Sequence, residues 1–84
     1  MHTNLESYIK EQLHYFCLNL RHHRTLAGMT REQLAKQANI SASNLIRLES
    51  EKNAALPSIH VLCTLAACLG APLTDLLTYP DEAC

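Results

Sequence analysis

The side chains best suited to chemistry in this chain are cations and short polar groups gathered in its middle third. Between positions 21 and 53 lie Arg21, Arg24, Arg31, Lys36, Arg47 and Lys52 against Glu32, Glu49 and Glu51, a net +3. The remainder has Lys10 against Glu6, Glu11, Asp75, Asp81 and Glu82, a net −4. The overall charge of −1 thus conceals a basic segment inside an acidic frame. Such asymmetry suits a polyanion on one face with the acidic face turned away. Within the basic segment, Ala42, Ser43, Ile46 and Arg47 share one side at helical spacing, with Asn44 and Ser50 at its flanks. A face that is polar without being heavily charged can read base edges. Arg forks onto guanine, Asn onto adenine, and Ala or Ile can meet a thymine methyl.

Other chemistries find less support. His14 and Cys17 are i, i+3 neighbours and His22 and His23 follow, but no second pair completes a zinc-site spacing. No metal and no cofactor is expected. A Cys–His nucleophile needs a pocket to hold it, and a chain this small offers none, so no enzyme is expected. The four cysteines, Cys17, Cys63, Cys68 and Cys84, show no CxxC spacing and read as reduced core or surface thiols. Nothing beside Cys63, Cys68 or Cys84 in sequence lowers a thiol pKa for redox sensing.

The elements that must position the basic face are helical. The 84 residues make one domain, 48% of them apolar, with two Gly and three Pro. Leu, Ala, Glu, Gln and Lys dominate, which favours helix. The first helix is expected over 5–27, opened by a Thr3–Glu6 capping box and closed by Gly28. Its face holds Leu5, Ile9, Leu13, Phe16 and Leu20, with Tyr8 and Cys17 at the margins, and Arg24 falls on the same face. A second helix spans 31–38, capped by Thr30 and Gln33 and broken by Asn39. A third spans 42–50 behind Ser41, and 50–57 is a loop. A fourth runs from 58 or 59 to 69 and stops at Gly70. Pro72 opens a fifth through 77, and 78–84 is an acidic, frayed tail. Helices two and three, over 30–50, form a helix-turn-helix unit. Leu34, Ala38, Leu45 and Leu48 face inward, Ala35 is small where the helices cross, and Ile40 plugs the turn.

Segments 20–53 (LRHHRTLAGMTREQLAKQANISASNLIRLESEKN) and 56–77 (LPSIHVLCTLAACLGAPLTDLL) resemble the Cro/phage-repressor-type helix-turn-helix family. The resemblance implies an all-α, five-helix, lambda-repressor-like domain, here with an extended first helix. It implies a structural ion pair between Arg24 and Glu49. It places phosphate contacts at Thr30, Arg31, Lys52 and Asn53. Base reading falls to Ala42, Ser43, Asn44 and Arg47, with Ile46 beside them. Arg47 could instead hold a phosphate, and Asn44 could only satisfy its own helix terminus. The chain departs from the family pattern in several places. Arg31 stands where relatives carry Gln, and the usual Gly after Glu49 is missing in a loop about two residues longer. His23 replaces an aliphatic residue, and the first helix starts about ten residues early.

The implied function is a sequence-specific transcriptional regulator, an autoregulating repressor bound to a palindromic double-stranded operator. A domain of this size buries only about 60–65% of its unfolded surface, so a second copy of itself is the expected partner. The alternative is a protein-interaction module, such as the antitoxin partner of a toxin or a contact for RNA polymerase. That reading rests on the stripe of Leu5, Tyr8, Ile9 and Leu13 ahead of the family-like region. The longest apolar stretch, 59–69, is eleven residues, too short to span a membrane. No basic start followed by an apolar run marks a signal peptide, so the cytoplasm is the expected compartment.

Overall fold

Caps and stops written into the sequence divide the chain into five helices. The computed structural model describes residues 4–50 and 56–79. The helices are α1 (Leu5–Leu26), α2 (Arg31–Ala38), α3 (Ala42–Glu49), α4 (Ile59–Leu69) and α5 (Leu73–Leu77), and no strand occurs among the described residues.

Each boundary has a local cause. Asn4, rather than Thr3, caps α1, its side-chain oxygen accepting the Ser7 N–H at 3.1 Å. The expected Thr3–Glu6 box is therefore replaced, and Thr3 itself lies outside the described residues. Asn is as good an N-cap as Thr and sits one residue closer to the apolar stripe. At the other end Gly28 takes a φ of 71°, and the Met29 N–H reaches back to the Arg24 carbonyl at 3.2 Å. That 6→1 bond is the Schellman closure, which calls for a residue without a Cβ penalty.

The Thr30–Gln33 capping box opens α2 as expected. Asn39 ends it at a φ of 60°, a conformation that Asn tolerates better than most residues. Ser41 caps α3 and Ser58 caps α4, each accepting the N–H three residues on. Helix α3 ends at Glu49, one residue short of expectation, because Ser50 turns extended. Pro72 is the residue before α5 rather than its first turn.

The core gathers one stripe from every helix. Phe16, Leu20, Leu34, Ala35, Ala38, Leu45, Leu48, Leu65, Ala66 and Leu76 are buried together, with Ile40 packed against them from the turn. The apolar face of α1 divides in two. Phe16 and Leu20 are buried, whereas Leu5 and Ile9 are exposed, because α4 and α5 are too short to reach them.

Asn19 is buried on that same face and donates its amide to the carbonyls of Leu76 (3.2 Å) and Thr78 (2.7 Å). It satisfies the last carbonyls around the short α5, which has no side-chain cap at its N-terminus. Thr78 and Tyr79, expected to fray, are thereby tied down. The Tyr79 ring also meets Tyr15 edge-on at 5.1 Å. Residues 80–84 of the expected tail lie outside the described residues.

Candidate nucleic-acid interface

Helix α3 presents its outer face where no other element covers it. Ser43, Ile46 and Arg47 are exposed, and Ile46 keeps 49% of its surface open. Asn44 is half-buried, and its N–H is held by the Ser41 hydroxyl at 3.0 Å. Ala42 differs from expectation. It is half-buried and packs against the core, because the first turn of α3 leans on its neighbours. The outward set therefore contracts to Ser43, Ile46 and Arg47, with Asn44 at the edge. Ser50, expected at the flank, instead closes the helix, and its carbonyl faces the Cys17 thiol at 3.8 Å.

The inner face of α3 is anchored at its C-terminal end. The Cys17 thiol donates to the Leu48 carbonyl at 3.1 Å. This cysteine is 1% exposed, so it is a packed core thiol directed away from any ligand. One residue on, the buried Glu49 carboxylate receives two arginines. Arg24 donates Nε to Oε2 at 2.7 Å and Nη2 to Oε1 at 3.2 Å, a bidentate fork from α1. Its Nη1 donates to the Met29 carbonyl at 2.9 Å, which ties the pair to the turn before α2.

The second arginine is Arg31, whose Nε donates to Glu49 Oε1 at 2.9 Å. The expected pair is thus a triad joining α1, α2 and α3. Arg31, read from sequence as a phosphate ligand or a solvated cation, is first of all a partner of Glu49. Its side chain stays 44% exposed, and among the described residues its outer two nitrogens have no other partner. The guanidinium is held by its inner edge and opens outward at the head of α2.

That helix head has the features of an anion site. Thr30 and Gln33 satisfy each other's N–H groups at 2.8 and 3.0 Å. The Arg31 and Glu32 N–H groups remain without intrahelical acceptors, at the positive end of the helix dipole. Thr30 and Arg31 are both exposed there. Lys52 and Asn53 lie outside the described residues.

A short helix braced against a second, with a polar face outward and an anion-ready helix head beside it, is the arrangement of a DNA-reading helix-turn-helix. Residues 19–82 match the family model of the Cro/C1-type HTH DNA-binding domain. The chain belongs to the Cro/C1-type helix-turn-helix family. It is also similar to an uncharacterized HTH-type transcriptional regulator of Methanocaldococcus jannaschii. The two are 30% identical over 63 residues, which cover 75% of this chain and 92% of that relative. No solved structure matches the chain.

Two features of this Cro/C1-type domain escaped the sequence reading. Asn19 carried a signal, since it is a polar residue inside an apolar helical stripe. The Arg31–Glu49 bond carried none, because 18 residues and two helix starts separate its partners. None of the described helices is long and apolar enough to cross a membrane.

Proposed function

We propose that the chain is a sequence-specific transcriptional regulator, a repressor that occupies a palindromic operator as a homodimer in the cytoplasm. The observation that carries this reading is the exposed face of α3, with Ser43, Ile46 and Arg47 open and the C-terminus of the helix locked by the Arg24–Glu49–Arg31 triad. A recognition helix has to be held rigidly to keep register with base edges, and the buried carboxylate does that from two sides. Arg47 is the base-reading cation, with Ser43 and Asn44 nearer the helix start. Thr30 and the outer edge of Arg31 take backbone phosphate, with Lys52 and Asn53 expected to add to them. Ile46 offers an apolar contact to a thymine methyl. Repression follows from occupying a promoter, its own included.

The test is a footprint on the DNA upstream of the chain's own gene. The expected result is two protected half-sites about 34 Å apart, centre to centre, on one face of the duplex. Uniform, unprotected cleavage up to the concentration that coats random DNA would overturn the reading. A chain without DNA affinity of its own would instead favour the antitoxin or polymerase-contact role, to which the exposed Leu5, Tyr8 and Ile9 also lend themselves.

A further inference from the structure

The first half of α1 carries apolar side chains that the rest of the described chain leaves open. Leu5 is 73% exposed, Tyr8 43% and Ile9 37%. All three precede residue 19, where the family match begins. Beside them runs an open groove of about 190 Å³ walled by Ile9, Leu13, Phe16, Leu56, Leu62 and Leu77. We propose that this groove is the interface between two copies of the chain. The N-terminal halves of two α1 helices pack antiparallel about a two-fold axis near Tyr8, and Leu5 of each protomer fills its partner's groove. The inference rests on the DNA-binding reading above and supplies the dimer surface it needs.

Charge selects a second copy as the occupant. At about 100° per residue, Glu6 and Lys10 lie together on one flank of the stripe, roughly 100–140° around the helix from Leu5. Both are exposed. An antiparallel pair centred on Tyr8 sets positions equidistant from it opposite one another. Glu6 then meets the partner's Lys10, and Lys10 meets the partner's Glu6. Leu5 comes opposite the turn of the partner's Gln12, which also borders the groove. An isologous contact requires this reciprocity, in which residue i meets j and j meets i.

The same arrangement presents both recognition helices to one duplex. Cys17 and Arg24 hold the C-terminal end of α3. They lie about 120° and 100° around α1 from Leu5, so α3 stands at the side of the stripe. A two-fold axis perpendicular to both α1 helices and to their line of contact keeps both α3 helices on one side. Cys17 and Arg24 are nine and sixteen residues from Tyr8. At 1.5 Å per residue, the paired attachment points are about 27 and about 48 Å apart, with a mean near 37 Å. That range brackets the roughly 34–36 Å between half-sites one helical turn apart.

The experiment is sedimentation of the full chain without DNA at tens of micromolar. The expected species has twice the 9.4 kDa mass of the chain. Leu5→Glu and Ile9→Glu should each raise the dimer dissociation constant at least tenfold with unchanged helical circular dichroism. Leu5 is exposed enough that its variant tests the interface even if Ile9→Glu loosens the fold. Glu6→Lys and Lys10→Glu should each weaken the dimer several-fold, and the two together should restore it, because the swap regenerates both pairs. A wild-type chain that stays at 9.4 kDa, a dimer that survives both glutamate variants, or a double swap no better than either single one overturns the proposal. On a palindromic duplex selected by the wild-type chain from a random pool, Ile9→Glu should lose tight binding yet still hold a single half-site. A wild-type dimer that binds no duplex would sink the DNA-binding reading while leaving this interface standing.

Discussion

Replacing Glu49 with Ala should come close to unfolding the domain. The Glu49 side chain is 2% exposed and Arg24 is 11% exposed, so their bidentate bond lies almost wholly out of water. Removing the carboxylate leaves Arg24 with the Met29 carbonyl alone. An uncompensated charge buried to that degree costs about 3–5 kcal/mol. The Arg31 arm contributes much less, because that side chain is 44% exposed and solvent screens it to under about 1 kcal/mol. A domain of 84 residues has a total stability of only about 4–13 kcal/mol. At about 4–8 °C per kcal/mol for a domain of this size, Glu49→Ala should lower Tm by at least about 12 °C. Arg31→Ala should lower it by no more than about 8 °C. The double variant Arg24→Met with Glu49→Leu should recover most of the loss, since apolar side chains of similar volume replace a buried pair with little penalty. Thermal melts followed by circular dichroism, with urea titrations for the free energies, read all three. A Glu49→Ala melt within about 1 kcal/mol of wild type would refute the reasoning, because it would mean that the triad is solvated.

Three further outcomes follow from other parts of the molecule. Cys63 is exposed and Cys17 buried, so peptide mapping after brief alkylation of the native chain should find Cys63 modified and Cys17 protected until denaturant is added. Equal labelling of both would contradict the packing of α1 on α3. The Tyr15 hydroxyl donates to Glu11 at 2.6 Å, and that bond pushes its pKa up to about 12. The neutral phenol is the favoured form, so this contact supports the fold below the unfolded value near pH 10 and is lost as pH rises through about 12. Ultraviolet titration should show one late tyrosine that Glu11→Gln brings back toward the ordinary range, and three coincident titrations would refute the bond. Asn19→Ala should cost about 1–3 kcal/mol by leaving the Leu76 carbonyl without its donor, measured by urea unfolding. An unchanged midpoint would mean that α5 holds its place by apolar packing alone.

Most of the fold could be read in the sequence because its punctuation is local. Thr30 with Gln33, Ser41, Ser58, Gly28 and Gly70 each act on the nearest turn, and they fall where the helices begin and end. The Arg24–Glu49 pair was legible because Arg24 falls on an apolar face, where a charge needs a partner. What the sequence hid depends on how helices meet. Ala42 counts as outward on a helical wheel, but the crossing of α3 turns it toward the core. Periodicity extends the α1 stripe back to Leu5, yet only the lengths of α4 and α5 decide where its cover ends. Arg31 reaches Glu49 across the helix-turn-helix crossing, a distance that no spacing rule encodes.

The recognition face is tested most directly by Arg47→Ala, titrated on an operator duplex and on a random duplex at several salt concentrations. Arg47 is exposed on α3 and has no partner among the contacts of the triad. If it reads a base, the variant should lose about 1–3 kcal/mol per half-site on the operator and much less on random DNA. Its preference at one base pair of each half-site should relax, and its salt dependence should stay close to that of wild type. An equal loss on both duplexes, with a salt slope shallower by about one unit per contact, would make Arg47 a phosphate anchor and contradict the assignment of α3 as the base-reading helix.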